Sequence, residues 1–419
     1  MCLKLTLFLI TIVQKKYLTS KPNERVLMHY LCKNMYLMKY LLYYDSASTF
    51  TAEQTDCGGS GDKVVSVVDG VAWCKDSDNT YYRYAKIVPE NLTSYTLTVH
   101  YIDAYGNAVF PNDTITLESY IGKSVKYVAY CKDASESGYT SAIEKEVLYV
   151  SANTDFSFVY YPQNMNVKNV PLTFIVTNPG TITWVKWCSG DEAYGHMESK
   201  TISYSRNGGS WTQITSDSEN RAPSINVNAG DVVQFKGDNA VYGKRILIGG
   251  QGGTEEYLGT ARFGGSAKFE AYGNTMSLIS GSSDFSTLRQ FGTQQEYVFA
   301  GLFYGAYGLK NAQYLLLPST SLTVCCYLSM FNSCSNMRVA PELPATSLAS
   351  ECYERMFFGC NKLSYIKAMF LTTPSTSYTN KWVADVAKTG TFVKSSDAGW
   401  NVIGTYGVPN GWTIEKADR

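Results

Sequence analysis

Charge is scarce in this chain. Asp, Glu, Lys and Arg make up 17% of its 419 residues, against about 25% in an ordinary soluble domain. The 36 basic and 36 acidic residues cancel, so the basic stripe that a nucleic-acid binder uses on phosphate is missing. No apolar run reaches the 18 residues of a membrane-spanning helix. Histidine is rarer still, with His29, His100 and His196 only, and none sits in a His-Glu-x-x-His arrangement. His100 alternates along a strand as a structural residue does. His196 lies among Asp191, Glu192 and Glu198, where a flexible acidic turn is the main reading and a cation site the minor one.

Catalytic signatures are equally thin. Gly122-Lys123-Ser124 ends like a phosphate loop, but the glycine needed five residues earlier is Leu117. Gly249-Gly250-Gln251-Gly252-Gly253 lacks the dinucleotide pattern and reads as a loop. No Gly-x-Ser-x-Gly elbow occurs. Two carboxylates could meet in the fold to cleave a glycoside, but no pair stands out. The expectation is a protein that is not an enzyme, with no cofactor and no metal. Asn91-Leu92-Thr93 and Asn112-Asp113-Thr114 match the glycosylation acceptor pattern.

What the chain has in abundance is tyrosine, 33 residues, with frequent Gly, Ser, Thr and Asn. Tyr and Thr runs broken by turn residues predict a mainly β protein. The same palette suits contact surfaces, where Tyr gives large rigid area and Ser, Gly and Asn adaptable hydrogen bonds. Both readings of the tyrosines stay open.

The most informative stretch repeats itself. Leu302-Phe303-Tyr304-Gly305-Ala306 aligns with Met330-Phe331-Asn332-Ser333-Cys334 and with Met356-Phe357-Phe358-Gly359-Cys360, and an apolar residue follows each block at Leu309, Met337 and Leu363. Pro318 and Pro344 are 26 apart, as are Cys326 and Cys352. A period in the twenties predicts stacked units, each covering its neighbour's apolar face. Cys326, Cys334, Cys352 and Cys360 fall on repeat positions at gaps too long for a zinc site, so they read as small buried hydrophobes. Cys57–Cys74 is a candidate disulfide, while the odd total of eleven cysteines argues against a disulfide framework.

Met-Phe-x-x-Cys-x-x-Met/Leu followed by Pro-Glu-Leu-Pro-Ala-Thr-x-Leu-Ala resembles the BspA-type leucine-rich repeat of bacterial surface antigens and of phages that infect such bacteria. Tyr365 to Phe370, Trp382-Val383, Gly390 to Lys394 and Gly407 to Thr413 are similar to that family's C-terminal cap. The resemblance implies binding or adhesion. Upstream, Val99-x-Tyr101-x-Asp103-x-x-Gly106-Asn107, Gly138-Tyr139 and Phe158-x-Tyr160 are similar to the mucin-binding (MucBP) module of bacterial adhesins, which implies a β-grasp-like fold; the insert around Cys131 departs from that pattern. Ser205-x-Asn207-Gly208-Gly209-x-Trp211 and Val227-Asn228-Ala229-Gly230-Asp231-x-Val233-Gln234-Phe235 resemble the β domain that precedes such repeats.

The resulting organisation is mainly β and multidomain: small β modules, β-grasp-like and β-sandwich, followed by a short capped leucine-rich-repeat solenoid. Residues 1–43 form a leader, read as signal-like or as a mis-assigned start with translation beginning at Met38. Residues 44–93 form a small β unit, 94–162 the MucBP-like module, 163–290 a β-sandwich, 291–373 the repeats and 374–419 the cap. Within the cap, Trp382, Val383, Val386 and Ala387 have helical spacing, with Gly390 as its stop. Expected partners are host glycoprotein, mucin or cell-envelope ligand, met at the cell surface, extracellularly or on a phage virion. Tyr304, Tyr307, Tyr327 and Tyr353 are the candidate contact residues, and the 26-residue spacing of Tyr327 and Tyr353 also suits a buried stack. The rival functions are a carbohydrate-active enzyme with accessory binding domains and a structural or receptor-binding virion component.

Overall fold

A computed structural model describes residues 50–52, 63–68, 71–75, 82–89, 92–120, 124–188, 198–250, 253–291 and 295–417. The leader, Met38, Cys57, Lys123 and His196 lie outside those residues. The chain divides into two compact units: residues 1–96, 116–127 and 148–153, and residues 97–115, 128–147 and 154–419. The first contains an antiparallel sheet of β1 (Phe50–Ala52), β2 (Lys63–Val68), β3 (Val71–Lys75) and β4 (Tyr82–Pro89), in the order β1-β4-β3-β2.

The next segment supplies β5 (Leu92–Asp103), β6 (Ala108–Tyr120), β7 (Val125–Tyr130), β8 (Tyr139–Thr140), β9 (Lys145–Val150) and β10 (Thr154–Pro162). Strand β10 pairs with β5 in parallel, from Thr154↔Leu97 to Tyr160↔Asp103. Parallel neighbours cannot be joined by a tight hairpin, and the intervening strands make the crossover. The chain turns at Tyr105-Gly106-Asn107. Gly106 takes φ 87°, and the Asp103 carboxylate accepts from the backbone N–H groups of Tyr105 and Asn107 at 2.9 and 2.8 Å.

Two further sheets follow, built from β11 (Leu172–Asn178), β12 (Gly180–Cys188), β13 (Thr201–Arg206), β14 (Thr212–Thr215), β15 (Ser224–Val227), β16 (Val232–Lys236), β17 (Lys244–Gly250), β18 (Gly253–Gly264) and β19 (Lys268–Asn274). One runs β14-β13-β16-β11-β19 and continues to a later strand; the other runs β15-β12-β18-β17. Phe174 and Phe235 of the first meet Phe263 of the second, each at 4.8 Å between ring centroids, so the two sheets share one core. Leu172 to Val176 are all buried because both faces of β11 are covered. Phe174 looks into the shared core, while Ile175 packs with Ile102, Val159 and Tyr161. Asn207 and Gly208 take φ 52° and 71°, the positive pair a two-residue hairpin turn requires.

The C-terminal third repeats one backbone pattern. β20 (Leu309–Asn311) and β21 (Leu315–Leu316) pair with β19 in parallel. β22 (Tyr365–Ala368), β23 (Thr391–Ser395) and β24 (Thr413–Ala417) form a parallel sheet of their own. Between them, Arg338 N–H donates to Lys310 and Ser364 N–H to Arg338, so successive passes of the chain lie side by side along this edge. The opposite edge is joined likewise. Phe303 N–H reaches Met330 O at 2.8 Å, Phe331 N–H reaches Met356 O at 2.9 Å, and Phe357 N–H reaches Trp382 O at 2.8 Å. Leu302, Met330 and Met356 are all fully buried, in equivalent surroundings.

One sequence expectation fails here. Trp382 to Ala387 is not helical. The α-helical residues of this segment are the single turn Thr376–Thr379, and Trp382 lies on a continuing run of turns. Gly390 has a different reason from a helix stop: a Cβ there would fall 2.4 Å from Ser364 O, where the neighbouring pass crosses.

Candidate binding surface

The run of turns has a four-residue rhythm. Positive φ occurs at Tyr297, Gly301 and Gly305, then at Cys325, Ser329 and Ser333, then at Glu351, Arg355 and Gly359, and again at Lys381 and Asp385. The N–H groups of Ala300, Leu302, Tyr304 and Ala306 donate back three residues, while those of Phe299, Gly301, Phe303 and Gly305 donate to the next pass. Every backbone donor of this stretch is thereby used, which is what allows a turn ribbon to be buried on one side. Positive φ costs a non-glycine residue roughly 1–2 kcal/mol, and the pattern persists because the ladder and the side-chain stacks hold it.

The inward side chains form two columns. Phe303, Phe331 and Phe357 stack at 5.3 and 5.6 Å. Phe299, Tyr327 and Tyr353 stack at 6.2 and 5.9 Å. Both columns end on Trp382, 6.0 Å from Phe357 and 6.2 Å from Tyr353, whose indole N–H donates to Gly407 O at 2.9 Å. At the third apolar position, Cys334 Sγ donates to Phe303 O and Cys360 Sγ to Phe331 O, each at 3.0 Å. Burial pushes the Cys326, Cys334 and Cys360 thiols up, and that of Cys352 up to about 12. These sulfurs are packing atoms, not nucleophiles.

The outward side differs. Trp187 of β12 lies on the ribbon with its ring against Gly301, where a Cβ would fall 2.6 Å from the ring atoms. Its ring packs on Tyr304 at 5.0 Å. Together with Val324 and Leu328, which like it are partly buried, it covers the buried Tyr297, Ala300 and Cys325. The rim is polar: Arg262 donates to Tyr304 O at 3.1 Å and pairs with Glu219. In the next two passes Asn332 and Phe358 occupy the place of Tyr304. Beside this patch Tyr307 is 62% exposed, and a polar thread crosses the passes from it. Asn336 Nδ2 donates to Tyr307 O, and Lys362 Nζ donates to Asn336 Oδ1, both at 2.7 Å.

The four candidate tyrosines therefore separate. Tyr307 is exposed, and Tyr304 is partly buried against Trp187. Tyr327 and Tyr353 are each 1% exposed and belong to the stack, which removes them as contact residues: stacking neighbours above and below leave no ring face free. Trp187 was not singled out from sequence, although Trp184 and Trp187, three apart on a strand, must face opposite sides. Trp184 is buried and donates to Lys200 O at 2.8 Å, which leaves Trp187 outside. His100 lies 3.3 Å from Asp155. Among the described residues no group of three or more His, Cys, Asp or Glu side chains is disposed to hold a metal, and no helix is long and apolar enough to cross a membrane.

A second group of polar residues is buried. Glu146 of β9 receives Lys310 at 3.2 Å and Arg338 at 2.8 Å, cations from adjacent passes. Burial alone would raise the Glu146 carboxyl; Lys310 and Arg338 outweigh it and hold it below the usual range. Glu270, fully buried, accepts from Tyr161 and Asn311 at 3.0 and 2.7 Å through one oxygen, and its other oxygen has no partner. Burial pushes that carboxyl up.

No protein-family model matches the chain, and neither a curated protein nor a solved structure matches it.

Proposed function

We propose that this is a non-enzymatic binding or adhesion protein, displayed on a bacterial surface, released from it, or carried on a phage virion, that recognises host glycoprotein, mucin or cell-envelope ligand. On this reading the C-terminal third is a short leucine-rich-repeat solenoid with its own cap. The two sheets sharing one core are a β-sandwich, and the module with the parallel β5–β10 pair is MucBP-like and β-grasp-like. Several weak contacts on one chain would add through effective concentration.

The observation that carries the proposal is the half-exposed Trp187–Tyr304 pair with a polar rim, set on a rigid stack beside exposed Tyr307. A rigid aromatic pair loses little entropy on contact and offers flat faces to sugar rings or apolar side chains. The rival reading, a carbohydrate-active enzyme, needs two solvent-reachable carboxylates facing one cleft; among the described residues the carboxylates of Asp103, Glu146, Asp231 and Glu270 are buried and unsuited to that role. The test is a glycan, mucin and cell-envelope array probed with the purified full chain, alongside a hydrolysis assay on the same glycans. Retention without hydrolysis supports adhesion, and hydrolysis or a blank array contradicts it.

A further inference from the structure

Lys310 is an unusual lysine. It is 2% exposed, and its Nζ donates to Asn178 Oδ1 at 3.2 Å and lies 3.2 Å from Glu146 Oε1. The Phe156 ring closes over it, 4.7 Å from Nζ to the centroid. Adding one carbonyl bond length places the amine within about 4.4 Å of the Asn178 carboxamide carbon. Nucleophile, electrophile and carboxylate are thus gathered at one point, from β20, the end of β11 and β9, with the amine and the carboxylate buried and the carboxamide partly so.

We propose that Lys310 and Asn178 become joined by an intramolecular amide bond, the lysine amine displacing ammonia from the asparagine carboxamide. The neutral Nζ attacks Cγ, the new C–N bond forms, and the old bond from Cγ to the amide nitrogen breaks. The proton lost by Nζ leaves through Glu146, the carboxylate in contact with it, and returns to the departing nitrogen, so ammonia is released and no oxidant or reductant is consumed. In water this exchange is negligible, because the amine is protonated and the carboxamide is inert. Here enforced proximity replaces a bimolecular encounter, and a dry site activates a lysine by withholding the water that stabilises its charge. Burial lowers the Lys310 amine to about 8; Lys268 and Arg338 act in the same direction and Glu146 opposes them. A substantial neutral fraction is thus present just above neutral pH, with Glu270 the remaining carboxyl facing the site from β19.

The bond would staple the sheet carrying β11 to the first repeated pass across the intervening β19. A rival route to ammonia loss is closed at this residue. Asparagine cyclises on the backbone N–H of the next residue, and residue 179 is proline, which has none.

The test is mass spectrometry on the purified full chain. The expected intact mass is one ammonia below the sequence value, with a digest yielding one branched peptide that joins residues 178 and 310. If linkage is incomplete, incubation at pH 9 drives it further. Asn178→Ala leaves the Lys310–Glu146 contact in place and should give the full sequence mass, with circular dichroism unchanged. Glu146→Gln should slow linkage at least tenfold. A wild-type chain still unlinked after incubation at pH 9 overturns the proposal. So does a chain that loses water and joins residues 310 and 146, or an Asn178→Ala chain that still loses ammonia.

Discussion

Phe303 and Phe331 lie face to face, ring centroids 5.3 Å apart and planes 4° from parallel. They occupy the same place in successive passes, and Phe357 continues the stack. Truncating the middle ring removes packing on both sides. Phe331→Ala should destabilise the protein by about 3–5 kcal/mol, the usual cost of a buried Phe→Ala. Tyr307→Ala, at an exposed ring, should stay within about 0.5 kcal/mol. Denaturant midpoints of the two variants check the contrast. Because one continuous core runs from Leu172 to Trp412, the two sheets of β11–β19 and the repeated passes should melt in a single transition.

The four-residue rhythm of positive φ makes a separate prediction. Arg355 has φ 50°, and glycine holds the equivalent place in the first pass, Gly301. Arg355→Gly should therefore be neutral or stabilise by up to about 1 kcal/mol, the backbone relief outweighing the extra entropy of unfolded glycine. Gly301→Ala should be clearly destabilising, because the new methyl meets Trp187. Thermal melting of both variants decides.

The repeat cysteines should be chemically silent in the folded protein. Cys326, Cys334 and Cys360 are fully buried, and burial raises their thiols. A disulfide reagent should modify them only at the rate of opening, rising to completion in denaturant. Fast native labelling at these positions would show that the stack is loose.

Acid should loosen the Glu146 clamp. Its carboxyl is held below its unfolded value, so its contribution to stability is fully present above the unfolded value and is lost as pH falls through the folded one. Stability measured from pH 7 downward should decline more steeply in the unlinked Asn178→Ala chain than in the same chain carrying Glu146→Gln, which has no carboxylate to protonate.

The mainly β character was legible from Tyr and Thr runs broken by turn residues, and the burial of the aligned apolar positions from their spacing. Once Leu302, Met330 and Met356 are aligned, their shared burial follows, and the hairpin turn at Asn207-Gly208 follows from local chemistry. The error at Trp382 has a definite cause: a turn ribbon with a four-residue rhythm places apolar residues at nearly the spacing of a 3.6-residue helix, and the two patterns cannot be told apart over six residues. Tyr327 and Tyr353 show the same ambiguity from another side, since periodic spacing marks an aligned column without saying whether the column faces in or out. Glu146, Lys310 and Asn178 were invisible because they are far apart in sequence and carry no motif. Only the crossing of β9, β11 and β20 brings them together.

The most direct test of the account is the surface itself. Tyr304→Asp and Leu328→Asp add charge to the half-exposed patch around Trp187 and leave the buried columns intact. On mucin or cell-envelope material that retains the wild-type chain, each should weaken binding roughly tenfold or more, the loss expected at an interface hot spot, with melting temperature held within a few degrees. Undiminished binding by both folded variants would contradict the assignment of this face as the contact surface.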